Sequence, residues 1–358
     1  MKGAIALLVS VAAVAALLIN VPVAPLAPKA YAQVGVVGSP PATGNGAQVL
    51  ALGGGSTTSN VTALTQSDIY WKAGGVLPSI DSWACAAFGG ASANTMIAVA
   101  GWVTASTSAA VSTNLGATWT AETLPSSHHW TSCAWSSGIG LFVASGGNTT
   151  AQNAAAYSSD GVTWTASTMP STARWSGIGC NSTTCVAVSS AASSAAAYTT
   201  NGTTWTASTL PASAEWGAVC WNGTVFLAIA GDGGNYVATS TAATSPDGIT
   251  WTARTLPSSQ SWTGCAWNGS IFLVVSGGFG GFSTGGATSP DGITWTAVTL
   301  PAGKWGAPTW NGRSWAMQTR GLSSTIAAYS LDAKTWQQTT MPTSTNYLAA
   351  APFAVLKQ

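Results

Sequence analysis

The stretch Ser289-Pro290-Asp291-Gly292-Ile293-Thr294-Trp295 decides the fold, because the same turn recurs along the whole chain. In such a stretch the aspartate accepts hydrogen bonds from nearby backbone N–H groups, the glycine adopts a positive φ, and Thr-Trp begins a strand of strong β formers. We therefore predict a structural hairpin turn whose acids are not catalytic. Good copies stand at Ser245–Trp251, Ser158–Trp164, Thr199–Trp205 and Ser112–Trp119, and degraded copies at Ser67–Trp71 and Ser330–Trp336.

The tryptophans that close these turns are regularly spaced. Successive ones lie 41 to 48 residues apart, at Trp71, Trp119, Trp164, Trp205, Trp251, Trp295 and Trp336. A repeat of this length with several short strands is typical of β-propeller blades. The clearest copy predicts strand A at Trp262–Trp267, an Asn-Gly hairpin, strand B at Ile271–Ser276, a B–C loop, strand C ending at Ser289, and strand D at Trp295–Leu300, ended by Pro301.

The two ends of the array are complementary. The first copy, Gln48–Trp71, contains strands B, C and D, whereas the last, Tyr347–Val355, contains an A strand and then stops. A shared blade would explain both ends and would remove the open sheet edges. We therefore predict an all-β chain with a seven-bladed β-propeller over 48–358, in which the C-terminal strand joins the N-terminal three strands to close the ring.

The residues before the array have the character of an export signal. Lys2 precedes an apolar run, Pro22, Pro25 and Pro28 follow it, and Ala30-Tyr31-Ala32 resembles a cleavage site. Residues 1–32 are predicted to be a signal peptide or an uncleaved N-terminal apolar anchor, and residues 33–47 a linker. We expect a secreted, extracellular or cell-surface protein, with a virion as the alternative location.

The composition is unusually poor in charge. Asp, Glu, Lys and Arg make up 5% of the chain and the formal net charge is +1, against about 25% charged residues in ordinary soluble domains. Without a basic run, binding to nucleic acid is not expected. A surface of Ser, Thr, Asn, Gly and Ala has little charge repulsion to keep copies apart, which would suit self-assembly or packing among virion proteins.

Cysteines and tryptophans occupy repeat positions. Eighteen of the 19 tryptophans do so and are expected to pack between blades, whereas Trp102 has no repeat position. Cys180 and Cys185 replace paired aromatic residues of strands A and B, and we predict a disulfide between them. The other four are expected to be small buried apolar residues without Cys/His spacing for zinc, namely Cys85, Cys133, Cys220 and Cys265.

The turns resemble Asp-box (BNR) repeats, whose pattern is Ser-x-Asp-x-Gly-x-Thr-Trp. The copy at Ser112–Trp119 keeps that spacing, and the copies beginning at 158, 245 and 289 are one residue shorter. The resemblance implies a propeller fold. It leaves the function open, because such repeats occur in sialidases and other glycoside hydrolases and also in non-catalytic bacterial surface and phage structural proteins.

Catalysis is not the favoured interpretation. The resemblance to sialidases would require an arginine triad, a Tyr/Glu pair, an Asp and a Phe-Arg-Ile-Pro motif, and this motif is absent. The acids outside the Asp turns that could form a glycosidase carboxyl pair are Asp81, Glu122, Glu215 and Asp232. We predict no catalytic residue and no cofactor. We also predict no metal site, since Asp232-Gly-Gly-Asn235 offers too few ligands for calcium.

A binding site is expected where the D–A linkers and B–C loops reach the central channel. These segments carry the variable polar and aromatic residues, as binding faces do. The candidate ligand-binding residues are Trp102, His129, Arg174, Glu215, Asp232, Tyr236, Lys304 and Arg320. The favoured function is non-catalytic recognition of a surface glycan or protein. The alternatives are a structural protein of a virion or cell-surface layer, and a sialidase-like hydrolase.

Overall fold

The computed structural model describes nine ranges of the backbone. These are 48–53, 60–65, 71–91, 94–147, 150–231, 237–277, 281–320, 324–345 and 347–353. Side chains are described within 75–91, 94–147, 150–231, 237–277, 281–320 and 325–341. The predicted signal peptide and linker, 1–32 and 33–47, lie outside these residues.

Strands β4 to β27 form six four-stranded antiparallel sheets, each built from four consecutive strands and called a blade here. Blade 1 contains β4 Trp83–Gly89, β5 Thr95–Ala100, β6 Ser106–Ser112 and β7 Thr120–His128; blade 2 contains β8 Trp130–Ser136, β9 Leu141–Gly146, β10 Gln152–Ser158 and β11 Thr165–Ala173; blade 3 contains β12 Trp175–Cys180, β13 Cys185–Ser189, β14 Ser193–Thr199 and β15 Thr206–Ala214. Blade 4 contains β16 Trp216–Trp221, β17 Phe226–Ala230, β18 Thr239–Ser245 and β19 Thr252–Gln260; blade 5 contains β20 Trp262–Trp267, β21 Phe272–Ser276, β22 Ser283–Ser289 and β23 Thr296–Gly303; blade 6 contains β24 Thr309–Trp310, β25 Trp315–Gln318, β26 Ser324–Ser330 and β27 Gln337–Thr345.

The prediction of a seven-bladed propeller is wrong: six complete blades are present, together with one sheet built from both ends of the chain. This terminal sheet contains β1 Gln48–Gly53, β2 Asn60–Thr65, β3 Trp71–Val76 and β28 Tyr347–Phe353, and its strand order is β28-β1-β2-β3. The predicted antiparallel pairing of the two ends is present, with Leu50 opposite Ala351. The terminal sheet is assembled from both ends of the chain and is not a seventh copy of the blade that strands β4 to β27 repeat. The physical reason lies in the sequence, where the end copies lack the glycine of the turn and the tryptophan of strand A.

The first strand of each blade is the innermost one. Strands β4, β8, β12, β16 and β20 lie side by side in that order. Each of the six blades begins with a tryptophan or has one just before its first strand, and these rings are at most 1% exposed: Trp83, Trp130, Trp175, Trp216, Trp262 and Trp305. Their Nε1 atoms donate to backbone carbonyls, for example Trp175 to Ser171 at 3.0 Å. The prediction that these tryptophans pack in the interior with a hydrogen-bond partner is confirmed.

The outermost strands continue past their proline, which corrects the prediction that Pro301 ends strand D. In blade 5, β23 pairs Thr299 with Gly285 and then Gly303 with Ser283, so that Leu300, Pro301 and Ala302 form a bulge between them. The bulge turns Leu300 inward, where it is 2% exposed. Because the bulge removes the proline from the ladder, its missing N–H does not interrupt the strand.

The cysteines form three disulfides in the described part of the chain. The predicted Cys180–Cys185 bond is confirmed, and it joins paired residues of β12 and β13. The expectation that the other four are unpaired is wrong, since Cys85–Cys133 joins β4 to β8 and Cys220–Cys265 joins β16 to β20. Their sequence separations of 48 and 45 residues are about one repeat. Equivalent positions on adjacent innermost strands are therefore neighbours, with Cα atoms 5.8 and 6.1 Å apart. Three disulfides indicate an oxidising environment.

Candidate binding face

Antiparallel strands place alternate connections at opposite ends of each blade. We call the end with the A–B hairpins and the Asp turns the turn face, and the end with the D–A linkers and B–C loops the linker face. The turn face includes the copies at 112–119, 158–164, 199–205, 245–251, 289–295 and 330–336, and the linker face includes residues 77–82, 101–105, 281–282, 304 and 319–320.

The polar groups of the turn face are occupied by the turns themselves. In blade 5, Ser289 Oγ accepts from Gly292 N at 2.8 Å and donates to Asp291 Oδ1 at 3.0 Å. The same Oδ1 accepts from the backbone N–H groups of Ile293 and Thr294, both at 2.8 Å. Trp295 Nε1 donates to the Gly292 carbonyl at 3.3 Å, which fixes the ring against the turn. The predicted Asp-turn mechanism is confirmed in this blade.

The turn at Ser330–Trp336 keeps the carboxylate and tryptophan hydrogen bonds although its sequence is a degraded copy. Asp332 Oδ1 accepts from Lys334 N and Thr335 N at 2.8 and 2.7 Å, and Trp336 Nε1 donates to the Ala333 carbonyl at 3.1 Å. Ala333 takes the glycine position with φ 61°. A non-glycine residue in this region is strained, so the remaining hydrogen bonds hold the turn against that strain.

These hydrogen bonds keep the turn carboxylates ionised. Donation from Thr335 N and then Lys334 N lowers the pKa of Asp332 to about 2. Donation from Thr294 N, followed by opposing burial, leaves the pKa of Asp291 below its usual value. A carboxylate that accepts several backbone N–H groups favours its charged form. Such a group is a structural acceptor and is poorly suited to act as a general acid.

On the linker face, one backbone hydrogen bond recurs in every complete blade. The carbonyl of the residue just before the strand-A tryptophan accepts from the backbone N–H of the first or second residue after strand B. The donor and acceptor pairs are Gly101 to Ser82, Gly147 to His129, Ser190 to Arg174, Gly231 to Glu215, Gly277 to Ser261 and Arg320 to Lys304. The predicted residues His129, Arg174, Glu215 and Lys304 therefore stand at equivalent positions in their blades, directly before strand A.

Two cations of the linker face lie over aromatic rings. The Arg320 Cζ atom is 4.8 Å from the centroid of the Trp102 ring, and Lys304 Nζ is 5.8 Å from that of Phe282. The two pairs are connected, because Arg320 N donates to the Lys304 carbonyl at 2.7 Å. We call Phe282, Lys304, Arg320 and Trp102 the cation–aromatic row. Separations within about 6 Å allow cation–π attraction.

The remaining predicted site residues differ in their surroundings. His129 Nδ1 lies 2.9 Å from the Gly101 carbonyl, and Glu215 is only 6% exposed. Arg174 is half-buried on blade 3. Asp232 and Tyr236 lie outside the described residues. The structure thus brings Trp102, Lys304 and Arg320 into one row and leaves His129, Arg174 and Glu215 elsewhere on the same face.

Sequence reasoning missed the apolar part of this face. Ile80 is 62% exposed, Val103 68% and Val237 51%, all in linkers or B–C loops. Phe282, in the B–C loop of blade 5, is 69% exposed. The exposure of these aliphatic residues could have been predicted from the sequence, because they stand in connections that otherwise carry Gly, Ser and Thr.

The residues that the structure describes contain no group of three or more His, Cys, Asp or Glu arranged to hold a metal ion. Within the same ranges, no helix is long and apolar enough to cross a membrane.

Comparison with known proteins establishes the fold alone. No family model and no curated protein sequence matches this chain. Virginiamycin B lyase from Staphylococcus aureus is similar over 72% of this chain and 84% of its own, with a TM-score of 0.55 and 11% identity. The protein YCF48 bound to D1 peptide is similar over 81% of this chain and 88% of its own, with a TM-score of 0.54 and 14% identity. AztD from Citrobacter koseri is similar over 86% of this chain and 98% of its own, with a TM-score of 0.51 and 9% identity. These structures are β-propellers, and so is this chain.

Proposed function

We propose that this chain is a non-catalytic β-propeller that binds a surface ligand, protein or glycan, through its linker face. The observation that carries the proposal is the difference between the two faces. The turn face uses its polar groups in repeated internal hydrogen bonds, whereas the linker face presents the cation–aromatic row beside exposed apolar side chains. A surface of this mixed character is typical of binding sites. The D1 peptide bound to YCF48 shows that a propeller of this general fold has bound a peptide.

The positions of the acids support the absence of catalysis. Glycoside hydrolysis requires two carboxyl groups a few ångströms apart across a cleft. Glu122 is on the outermost strand of blade 1, where burial and the nearby Asp160 raise its pKa. Asp81 and Glu215 belong to blades 1 and 4, and Asp81 already accepts from Ser82 N and Ser106 Oγ, both at 2.6 Å. Asp160, the acid near Glu122, already accepts from Val162 N and Thr163 N within its own Asp turn.

Export fits the disulfides. A signal peptide at 1–32 would deliver the chain to a compartment where three disulfides form and persist. A secreted, cell-surface or virion location is part of this proposal, and so is the relation to Asp-box repeats. The hydrogen bonds within the turns support the relation to Asp-box repeats.

Assembly through strand edges is less well supported. The outermost strands carry exposed Thr, Ala, Ser and Pro, and each contains a bulge at its proline, as at Pro125, Pro170, Pro211 and Pro257. Prolines and bulges on an edge strand prevent another strand from pairing with it. Self-assembly would therefore have to use a different surface.

Peptide and glycan arrays probed with the mature chain test the proposal. We expect at least one class of probe to bind, and the binding to be lost with Trp102→Ala or Arg174→Ala. The control for Trp102→Ala is Ile293→Ala, which changes an apolar residue of the turn face. The control for Arg174→Ala is Arg254→Ala, which changes a cationic residue of an outermost strand. Binding that survives both linker-face substitutions would overturn the assignment of the face, and hydrolysis of an array glycan would overturn the absence of catalysis.

A further inference from the structure

We infer that the ligand of the linker face is an extended acidic peptide segment with apolar side chains between its carboxylates, bound along the cation–aromatic row. This inference rests on the proposed function and specifies its partner. It depends on the continuity of the row, on its charge, and on the apolar residues beside it.

The row is continuous across several elements. Phe282 lies in the B–C loop of blade 5, and Lys304 lies in the linker that enters blade 6. Arg320 follows β25, and Trp102 lies in the B–C loop of blade 1. The Lys304 carbonyl and Arg320 N are 2.7 Å apart, and each cation lies over one ring. An extended segment could follow these residues and meet two cations in succession.

The charge of the row favours an anionic partner. A guanidinium held over a ring keeps its N–H groups in a plane suited to bidentate hydrogen bonding with a carboxylate. Asp81, the acid of the described linker next to the row, has one oxygen accepting from Ser82 N and the other from Ser106 Oγ. Asp81 is therefore held to its own linker and to β6, and the two cations of the row outnumber this one carboxylate beside it.

The apolar neighbours favour a peptide over an anionic glycan. Trp102 N donates to the Ser82 carbonyl at 3.1 Å and Val103 N donates to Ser82 Oγ, also at 3.1 Å. This brings the exposed Val103 and Ile80 close to the Trp102 end of the row. Arg320 already lies over one face of Trp102, which closes that face to the stacking of a sugar ring. Leucine, valine or phenylalanine side chains fit the exposed aliphatic surface better.

The test uses a fluorescein-labelled peptide of about twelve residues, roughly 40 Å long when extended, in which Asp and Glu alternate with Leu, Val and Phe. Its partner probe has Asn and Gln in place of the acids, and a third probe is a sialylated oligosaccharide. Fluorescence anisotropy is measured with the mature wild-type chain, with Lys304→Gln/Arg320→Gln, and with Arg313→Gln/Lys334→Gln. The last variant makes the same change of charge in the same blade, on the turn face.

We expect the acidic peptide to bind wild type, and Lys304→Gln/Arg320→Gln to raise its Kd roughly tenfold. The turn-face control should change the Kd by less than about twofold, since exposed charges beyond a Debye length are screened. Thermal denaturation confirms that both variants are folded. Equal weakening by both variants would overturn the inference, because it would show attraction to net charge alone.

The other outcomes separate this inference from the proposed function. Tighter binding of the neutral peptide or of the oligosaccharide, if abolished by Trp102→Ala, overturns the acidic peptide and leaves the linker face as the binding face. Failure of all three probes to bind overturns the acidic peptide directly, and the array experiment then decides the proposed function on its own. Binding abolished by Ile293→Ala instead overturns both.

Discussion

The two faces of this propeller use similar residues in different ways. On the turn face, Ser, Asp, Gly, Thr and Trp recur from blade to blade and bond to one another within each turn. On the linker face, the backbone hydrogen bond before each A strand recurs, while the side chains at that position change from Ser82 to His129, Arg174, Glu215, Ser261 and Lys304. Repetition therefore identifies the residues that build the fold, and departure from repetition identifies those available for binding.

The largest expected effect is the difference in the free energy of unfolding when a repeat tryptophan and a linker-face tryptophan are each replaced. Trp175 is buried in the repeat, whereas Trp102 is half-buried under Arg320. We expect Trp175→Ala to lower the free energy of unfolding by about 3–5 kcal/mol, and Trp102→Ala to lower it by less than about 1 kcal/mol. Urea denaturation followed by circular dichroism measures both. Equal losses would mean that Trp102 is a structural residue and would break the comparison.

The disulfides provide a smaller effect within the structural part of the molecule. Cys220–Cys265 spans 45 residues and joins two blades, whereas Cys180–Cys185 spans 5 residues within one. Chain entropy predicts losses of about 4 and about 2 kcal/mol when each bond is removed. We expect Cys220→Ala/Cys265→Ala to be the less stable of the two double variants in urea denaturation. The reverse order would show that blade contacts, not the covalent connection, hold the innermost strands together.

The smallest effect is expected from acid titration of a single turn. The pKa of Asp332 falls from 3.8 to about 2 on folding, so its ionised form contributes stability above pH 4. That contribution is lost as the pH falls through the folded pKa, between pH 4 and about 2. Asp332→Asn should remove part of the loss in this window and shift the neutral-pH melting temperature by less than about 2 °C. Asn201, in the equivalent turn of blade 3, already accepts the same two backbone N–H groups. Calorimetric scans at several pH values provide the measurement, and an unchanged acid profile would show that the turn carboxylate is not coupled to folding.

Much of the fold could be predicted because the same sequence features recur in each repeat. The Asp turns, the Asn-Gly hairpins and the A-strand tryptophans each recur, so errors in one copy are corrected by the others. The pairing of β1 with β28 also followed from the phase of the first and last copies. The number of equivalent blades did not, because the copies at both ends carry weaker versions of the same residues.

Other features depend on tertiary proximity that no local pattern contains. Cys85 and Cys133 are neighbours only because equivalent positions of adjacent blades meet at the axis. The passage of β23 through Pro301 depends on a bulge that the burial of Leu300 stabilises. At the candidate site, the residues were predicted individually, but the contact of Arg320 with Trp102 joins loops more than two hundred residues apart in sequence.

The most direct test of the binding face is hydroxyl-radical footprinting of the chain with its tightest-binding array probe. The account predicts that the probe protects Trp102 and Phe282 from oxidation and leaves Ile249, Ile293 and Leu331 of the turn face unchanged. Protection of those three residues, with Trp102 and Phe282 oxidised as in the free protein, would contradict it.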